Sequence, residues 1–436
     1  MDADGISAAS IALSALTRMR KKVHLSTEKQ VKPELIERLK GEKTDIFLFT
    51  DLGSGYLDLL NELGESTHRK IIVADHHLPS PQNESYKNII QINPYLIGRD
   101  ENEISGAGVM YLLARELDEG NKDLSYLAII GAIGDMQDNN GWEMKGMNAE
   151  ILKESVEIGN LKKIRGIRLF GRMNRPVHKA LEYSTDPYIP GITGNESAAI
   201  QFLSTLGIGL KDEGGRWRTL NDLSNDEMKK LATAIICERI REKEAKPEEI
   251  FGDNYTIKFE DDEFDAREMA TSLNACGRMG QSSLGILSAL GMPFGLKRLD
   301  GVLSGYRKMI NRYIRWTKEN EDKIIKTKNA YYILAGDQIH ENFIGTITSI
   351  CEKSSILNNG RVVFGFAYTE DGEVKVSARA PKEFVERGLS LKDLFEKVAK
   401  EYNGYGGGHQ AAAGAFIPIG KEKEFINACE NYLESI

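Results

Sequence analysis

The chain has 436 residues, of which 41% are hydrophobic and 28% are charged, and its net charge is −8. This length favours two or three domains, and the composition is that of a soluble globular protein with a sizeable core. No apolar run reaches the roughly 18 residues of a membrane span, and the acidic balance excludes nucleic-acid binding through the whole surface.

The cysteines and the start of the chain indicate a cytoplasmic protein. The amino-terminal residues, MDADGISAAS, lack the basic and apolar regions of a secretory signal. The four cysteines lie far apart and form no CxxC pair, which predicts reduced thiols rather than disulfides or a zinc site.

Short apolar segments alternate with helical segments before about residue 150. Residues 6–20 predict a helix rich in small residues. Buried strands are predicted in DIFLFTD (45–51), KIIVADHH (70–77) and NIIQINP (88–94), with helices between them. This alternation predicts an α/β domain with a doubly wound parallel sheet.

Acidic residues and histidines follow these apolar segments. Asp51 ends the first predicted strand, Asp75, His76 and His77 end the second, and Asp135 ends the apolar run LAIIGAIGD. The ligand crevice of an open α/β sheet lies outside the carboxyl ends of its strands. We therefore expect these side chains to share one crevice.

Asp2 and Asp4 join this set, because they precede the first helix where a strand-to-helix loop is expected. Any one of these acids alone is better explained as a cap or a turn residue. As a set they repel one another, by roughly 4 kcal/mol for a pair about 4 Å apart at an effective dielectric near 20. Carboxylates with imidazole suit manganese or magnesium. The set therefore predicts a metal centre.

Residues 150–260 are charged and broken by turns, and they predict a mainly helical insertion. Within it, LKKIRGIRLFGRMNRPVHK (161–179) holds seven basic residues and no acidic one, with Phe170 in its middle. Two interpretations stay open, a surface that tracks phosphates and a solvated helix face.

The last third of the chain begins with a long charged helix, predicted over 306–326, and continues with a hairpin around a DG turn in 362–381. GYGGGHQ (404–410) then brings three glycines beside His409. Their backbone amides can approach an anion closely, although most glycine runs are flexible turns. Together with Arg379, His409 predicts a phosphate clamp.

These motifs resemble those of the DHH phosphoesterase superfamily over nearly the whole chain. TSLNACGRMG (271–280), ALEYSTDPYIPGITGNE (180–196) and the long connector are similar to the RecJ branch, particularly the archaeal RecJ-like nucleases that associate with the replication factor GINS. The superfamily resemblance rests on DADG (2–5), DLGSG (51–55), ADHH (74–77), GAIGD (131–135) and GGGHQAAAG (406–414).

The resemblance implies a role for each matching residue. His77 would face the scissile phosphate, and Asp75 would orient the histidines. The implied ligands of two manganese ions, with magnesium as an alternative and Asp51 between the ions, are Asp2, Asp4, Asp51, His76 and Asp135. The implied substrate-binding residues are Arg278, Arg379, Gly406, Gly407, Gly408 and His409.

The resemblance also implies the domain organisation. We expect a DHH phosphoesterase domain over 1–300, with the insertion at about 150–260. A connector helix over 301–327 would lead to a smaller α/β DHH-associated domain over 328–436. Both DHH-type domains belong to the α/β class.

The implied activity is a metal-dependent exonuclease acting on single-stranded DNA or RNA in replication and repair, with no membrane partner. Hydrolysis of short oligonucleotides or cyclic dinucleotides is the second interpretation. A non-enzymatic scaffold that binds GINS through the insertion is the third. Neither the direction of digestion nor the preference between DNA and RNA follows from these residues.

The position of Met1 gives one more expectation. Only one residue precedes Asp2, whereas the related proteins have a strand and a His or Asp shortly before this pair of acids. We expect that the codons upstream of Met1 continue in frame and encode roughly 6–10 mostly apolar residues with a His or Asp at their end.

Overall fold

A computed structural model of the chain describes residues 1–80, 86–139, 141–184, 187–242, 246–259, 262–357 and 360–436. These residues divide into two compact units, 1–302 and 303–436. Within the described residues, no helix is both long enough and apolar enough to cross a membrane. The first elements are α1 (Ala3–Arg18), α2 (Pro33–Lys40), β1 (Ile46–Thr50), α3 (Leu57–Thr67), β2 (Lys70–Ala74), β3 (Ile89–Ile92), α4 (Gly106–Leu117) and α5 (Ser125–Gly134).

The first sheet confirms the predicted α/β fold. Strands β1, β2 and β3 form a parallel sheet in that order, with Thr50 paired to Ala74 and Ala74 paired to Ile92 at the carboxyl ends. Apolar side chains of β1 and β2 pack with α2 and α3 in one core. Because the strands are parallel and in register, the residues that follow them meet at one edge of the sheet.

Helices α1, α4 and α5 pack against one another. The expectation that Asp135 follows a strand is wrong, because residues 125–134 form α5 and Asp135 is its carboxyl-terminal cap. This helix is apolar on all sides and is buried among other helices. A short run of this kind does not distinguish a buried strand from a buried helix.

The insertion contains helices and an antiparallel sheet of three strands in the order β4-β5-β6. Residues 161–167 form strand β4, so the helix-face interpretation of the basic segment is wrong for these residues. Thr185 and Asp186, within the motif 180–196, lie outside the described residues. The elements are α6 (Gly146–Glu157), β4 (Leu161–Ile167), α7 (Val177–Glu182), α8 (Glu196–Thr205), α9 (Asn225–Arg241), β5 (Phe251–Phe259) and β6 (Asp262–Asp265).

Three helices follow, namely α10 (Ala266–Arg278), α11 (Ser282–Ala289) and α12 (Pro293–Glu319). Helix α10 packs against α1 and α5. The expected connector helix is present, but its bounds were wrong: α12 starts at Pro293 and ends at Glu319. The residues after it form strand β7 (Ile324–Lys326). Proline at the first position of a helix is favourable, because its missing N–H needs no partner there.

The second unit contains a sheet of six strands in the order β11-β12-β10-β9-β8-β7. The predicted hairpin is confirmed, since β9 and β10 pair antiparallel on either side of the DG turn. The glycine run forms strand β11, so it is not a flexible turn. The elements are β8 (Ala330–Gly336), α13 (Glu341–Lys353), β9 (Val362–Tyr368), β10 (Glu373–Arg379), α14 (Lys382–Glu386), α15 (Leu391–Glu401), β11 (Tyr405–Gly408), β12 (Ala412–Pro418) and α16 (Glu422–Glu434).

Candidate metal centre and substrate-binding residues

His76 lies at the centre of a cluster of carboxylates. Its Nδ1 is 3.1 Å from the carbonyl oxygen of Glu101, and because a carbonyl only accepts, Nδ1 carries the proton. The Nε2 lone pair therefore faces Asp135 Oδ2 at 3.3 Å, Asp51 Oδ1 at 3.5 Å and Asp4 Oδ2 at 3.8 Å. Nε2 makes no hydrogen bond to any of these oxygens.

The amino terminus of α4 holds the carboxylate of Asp4, which is fully buried. The backbone N–H of Gly106 donates to its Oδ2 at 2.6 Å, and that of Ala107 donates to its Oδ1 at 3.0 Å. The positive end of the helix dipole favours a carboxylate at this place. A Cβ at Gly131 would lie 2.2 Å from Asp4 Oδ1, so α5 approaches this carboxylate as closely as a glycine allows.

Asp51 directly follows β1 in a left-handed conformation, with φ of 54°. Its Oδ1 is buried and has no hydrogen-bond partner among the described residues, and the same holds for His76 Nε2. A Cβ at Gly106 would lie 2.5 Å from this Oδ1. The left-handed backbone turns the Asp51 carboxylate into the cluster, where no protein donor among the described residues meets this oxygen.

The pKa of Asp51 and that of Asp135 both lie well above their usual value. Burial is the first cause, and repulsion by Asp4 is the second. Two groups in the described residues could each hold a cation, one of Asp4, His76 and Asp135 and one of Asp51, His76 and His77. The orphaned Asp51 oxygen and His76 lone pair are what a divalent cation with oxygen and imidazole ligands fits.

Asp2 lies at the rim of this cluster rather than inside it. It is exposed and caps α1, where its Oδ1 accepts the N–H of Gly5 at 3.1 Å. Its charge nevertheless reaches the cluster, because it contributes to the raised pKa of Asp51. Of the five residues that the sequence analysis selected as ligands, the structure thus brings Asp4, Asp51, His76 and Asp135 together and leaves Asp2 at the rim.

Asp75 uses both carboxylate oxygens to hold the segments that follow β1 and β2. Its Oδ2 accepts the N–H of Ser54 at 2.9 Å, and its Oδ1 accepts the N–H of His76 at 2.8 Å. The same Oδ1 accepts the His77 Nδ1 proton at 2.7 Å. Burial alone would raise the pKa of Asp75, but the hydrogen bond from His77 holds that pKa below its usual value.

His77 differs from His76 in exposure and in its partner. Its ring is exposed, and its Nδ1 is engaged by Asp75, which leaves Nε2 as the outward-facing nitrogen. Partial desolvation by the surrounding protein would by itself lower its pKa, but the hydrogen bond to Asp75 and the nearby carboxylates raise the pKa to about 9. His77 is therefore a cation at neutral pH and can donate a hydrogen bond to an anion.

Two contacts of this site were missed in the sequence analysis. The Asn93 side chain donates to the carbonyl oxygen of His77 at 2.9 Å and to Ser54 Oγ at 2.9 Å, which fixes the histidine loop. Asn93 directly follows strand β3, and this place at the carboxyl end of a strand was a signal that could have identified it. The Glu101 carbonyl gave no such signal, because any residue supplies a backbone oxygen.

Arg278 is the last residue of α10 and is half-buried. One turn earlier, Asn274 Oδ1 accepts the N–H of Ala3 at 2.9 Å. A Cβ at Gly277 would lie 2.1 Å from the carbonyl oxygen of Met1. The end of α10 therefore lies against the start of α1, on the side of the unit that carries Asp2.

The other substrate-binding candidates lie in the second unit. Arg379, at the end of β10, pairs with Ala412 of β12. The backbone N–H of His409 donates to the Ala412 carbonyl oxygen at 2.8 Å, so Arg379 and His409 flank the same residue. Gly406, Gly407 and Gly408 form part of β11, whose backbone pairs with β12.

The basic segment 161–179 is only partly exposed. Arg168 and Arg172 are buried, the first against the ring of Trp142 and the second bonded to Asp265 at 2.6 Å. Lys163 pairs with Asp253 at 2.7 Å. The exposed basic residues are Lys162, Lys163 and Arg165 on β4.

Comparison with known proteins gives three family matches in succession along the chain. The DHH family, N-terminal domain, matches residues 1–133, the DHH-CID domain matches 169–250, and the DHHA1 domain matches 329–435. An uncharacterized protein of Methanocaldococcus jannaschii is 34% identical over 437 residues, which cover 99% of this chain and 91% of that protein.

The fold is similar to that of solved structures at low sequence identity. RecJ of Thermus thermophilus in complex with Mn²⁺ has a TM-score of 0.58 at 19% identity, covering 100% of this chain. The same RecJ in complex with Mg²⁺ has a TM-score of 0.51 at 17% identity, again over 100% of this chain and 48% of that one. CDC45 of Entamoeba histolytica has a TM-score of 0.62 at 11% identity, covering 99% of this chain and 94% of that one.

The chain spans 51% of the length of the Thermus RecJ chain solved with Mn²⁺. The order of the three matched domains agrees with the resemblance that the motifs indicated. The chain therefore belongs to the DHH family and has a RecJ-like fold.

Proposed function

We propose that this protein is a metal-dependent phosphodiesterase that degrades single-stranded nucleic acid as an exonuclease. The observation that carries the proposal is the set of contacts of His76. One nitrogen is fixed as a donor by Glu101, and the other faces three carboxylate oxygens and has no hydrogen-bond partner among the described residues. The RecJ structures with Mn²⁺ and Mg²⁺ support manganese or magnesium as the cation.

Two divalent ions bound in such a centre lower the pKa of a water molecule and neutralise charge on the phosphoryl oxygens. Asp4, His76 and Asp135 would hold one ion, with Asp2 beside them. Asp51 would help to hold both ions, as the resemblance implies, because its Oδ1 has no hydrogen-bond partner among the described residues and lies 3.5 Å from His76 Nε2. The role of α4 is to hold the Asp4 carboxylate in place through the N–H groups of Gly106 and Ala107.

His77 would contact the phosphate that is cleaved. Its Nδ1 proton is held by Asp75, so the ring orientation is fixed and Nε2–H points away from that carboxylate. In the ion-free protein the hydrogen bond to Asp75 raises the pKa of this ring to about 9, which favours the imidazolium. It can stabilise the negative charge that grows on the phosphoryl oxygens during in-line attack.

Arg278, Arg379, His409 and the glycines of β11 would bind the substrate. Arginine binds phosphate through two parallel N–H donors, and glycine lets a backbone approach an anion closely. The exposed lysines and arginine of β4 supply positive charge in an otherwise acidic chain. These features support an extended strand as the substrate, in preference to a dinucleotide.

The test measures release of labelled nucleotides from a single strand of roughly 20 nucleotides, which exceeds the site of a typical single-strand-binding fold. We expect that chelation abolishes the activity and that manganese restores it. Asp51→Asn should be inactive with an unchanged circular dichroism spectrum. Asparagine tolerates the left-handed backbone at this position better than alanine.

The matched control is Asp226→Asn, which removes an exposed carboxylate in the insertion. We expect this variant to keep full activity. An active Asp51→Asn enzyme would refute the mechanism, and faster turnover of a dinucleotide than of the long strand would refute the substrate class. End-labelled DNA and RNA strands, digested in parallel, give the direction and the preferred sugar.

We propose further that the insertion is a docking surface for the replication complex GINS, which would place the enzyme in replication and repair. The match to the DHH-CID domain at 169–250 marks the insertion as a domain with its own core. Its surface exposes several large apolar side chains, among them Tyr188, Trp217 and Ile240. A pull-down with purified GINS tests this, and loss of capture by Trp217→Ser together with Ile240→Ser would support the surface.

A further inference from the structure

The two faces of the six-stranded sheet in the second unit are covered differently. On one face, side chains such as Val376 and Ala415 pack with α15 and α16 into the core. On the other face, α13 packs on β9 and β10. The β11 and β12 residues on that face are exposed or half-buried, whereas the alternate β12 residues Ala413, Ala415 and Ile417 are buried.

An aromatic stack lies on this open part of the sheet. Tyr405 of β11 and Phe416 of β12 are paired residues, and their rings stack with centroids 5.1 Å apart and planes at 18°. Tyr405 is 38% exposed. Lys375 of β10, which pairs with Phe416, places its Nζ 5.8 Å from the centre of that ring. The Tyr405 hydroxyl donates to Glu373 at 3.2 Å.

A shallow floor of glycine separates this stack from the phosphate clamp. Gly407 pairs with Gly414, and Gly414 pairs with Ser377. A Cβ at Gly407 would meet no atom within 4 Å. Ser377 is buried beneath α13, where a Cβ at Gly345 would lie 3.3 Å from its Oγ, so the open floor consists of Gly407 and Gly414. No side chain rises from these two glycines, and a flexible polymer can lie along them. Arg379 and His409 end the floor on one side, and the aromatic stack ends it on the other.

We infer that Tyr405, Phe416 and Lys375 form a subsite that stacks a base of the nucleic-acid strand held by Arg379 and His409. The inference rests on the proposed function for its substrate class. Stacking on an aromatic ring suits every base, and a nearby ammonium attracts the adjoining phosphate. The exposed face of Tyr405 supplies the ring, since its other face is occupied by Phe416.

The length of the floor indicates how much of a strand is involved. Arg379 and Lys375 are four residues apart on one strand, which corresponds to about 13 Å. This distance is several times the rise of roughly 3.4 Å per nucleotide in a stacked strand. A phosphate at Arg379 and a base at the aromatic stack can therefore belong to neighbouring nucleotides of one strand.

A cross-strand aromatic pair also stabilises a sheet by itself, so the test must separate binding from folding. The full chain, in the presence of a chelator, is titrated with a single strand of roughly 12 nucleotides. The strand carries 2-aminopurine at one position at a time, because the fluorescence of this base is quenched when it stacks. Urea unfolding of each variant is measured in parallel.

Tyr405→Phe keeps the ring and loses only the hydroxyl, so we expect wild-type affinity and quenching. Tyr405→Ala should raise the Kd about tenfold and abolish the quenching at one position of the strand. The matched control is Tyr368→Ala. Tyr368 is 37% exposed but pairs with Val374 on the opposite face of the same sheet. We expect it to leave Kd and quenching unchanged.

Two results would overturn the inference. One is wild-type affinity in Tyr405→Ala, and the other is equal weakening by Tyr368→Ala. Neither depends on hydrolysis, because the chelator prevents it. Absence of nuclease activity with intact quenching would reject the proposed function alone, and an active enzyme without position-dependent quenching would reject this subsite alone.

Discussion

The buried carboxylate of Asp75 accepts the Nδ1 proton of the exposed ring of His77 at 2.7 Å. One residue of the pair is thus fixed inside the domain while the other faces the surroundings. This relationship explains why two adjacent histidines have different surroundings. His76 turns inward to the carboxylates, and His77 stays at the surface with its Nδ1–H bonded to the buried carboxylate of Asp75.

Asp75→Asn should lower the pKa of His77 from about 9 towards the ordinary histidine value, because the carboxylate that stabilises the imidazolium is lost. The folded-state pKa lies above the unfolded value near 6.5. His77 therefore stabilises the fold fully below about pH 6.5, and this contribution disappears as the pH rises through about 9. NMR titration of the His77 ring in ion-free protein checks the shift. An unchanged titration in Asp75→Asn would contradict it, and Asp226→Asn serves as the control.

Gly131→Ala should damage the centre, because the new Cβ would lie 2.2 Å from Asp4 Oδ1 and 2.7 Å from the Ala107 Cβ. We expect a loss of about 1–3 kcal/mol of unfolding free energy and weaker manganese binding by calorimetry. Gly301→Ala is the matched control within a helix, since a Cβ there meets nothing within 4 Å. It should stabilise by about 0.4–1 kcal/mol. Equal changes in the unfolding free energy of the two variants would show that the close approach of α5 to Asp4 does not matter for stability.

Glu268, in the first turn of α10, should make stability depend on pH. Burial first, and then Asp265, raise its pKa to about 7. A folded-state pKa above the unfolded value near 4.5 gives stability that is complete below about pH 4.5 and is lost as the pH rises through about 7. Glu268→Gln should therefore gain stability relative to the wild type between pH 5 and 8, by at most about 3 kcal/mol. Urea unfolding midpoints of the wild type and of Glu268→Gln, measured at pH 5 and at pH 8, test this gain. A stability difference between the two proteins that does not change with pH would argue against it.

Arg267 should be needed to keep Asp138 buried. Its guanidinium bonds to both Asp138 oxygens, and Asp138 is fully buried. Arg267→Ala leaves an unpaired buried charge, which costs about 3–5 kcal/mol. The exposed pair of Lys153 and Glu157 is the control, where Lys153→Ala should change stability by less than about 0.5 kcal/mol. Urea unfolding compares the two, and similar losses would be the contrary result.

The sequence contained enough to predict the strands of the first sheet and the cluster of acidic and histidine side chains that follows β1 and β2. Alternating short apolar segments and turn residues define such strands. It did not predict that Asp135 caps a helix, because α5 is apolar on every side and shows no helical periodicity. The helix-face interpretation of the basic segment was also wrong for β4, whose basic residues project from a strand. Such exposure depends on Asp253 and the neighbouring β5 strand, which lie far away in the chain.

The hydrogen-bond partners of the candidate ligands could not be predicted from the sequence, for a different reason. Asp4 is held by backbone N–H groups of α4, and His76 by the carbonyl oxygen of Glu101. Every residue carries these groups, so no residue type marks them. Gly106 and Gly131 are the only positions among these contacts where the residue type itself reflects the close approach. Glycine is also common in turns and at helix ends, so it did not identify the contact.

The three carboxylates around His76 come from positions 4, 51 and 135, which the unfolded chain keeps far apart. Folding therefore concentrates like charges, and the ion-free domain opposes that repulsion with its packing energy. A cation that binds only the folded centre shifts the unfolding equilibrium by mass action. The melting temperature should consequently rise with manganese concentration, and the dependence should vanish in Asp51→Asn. Heat denaturation thus reports occupancy of the centre before any substrate is known.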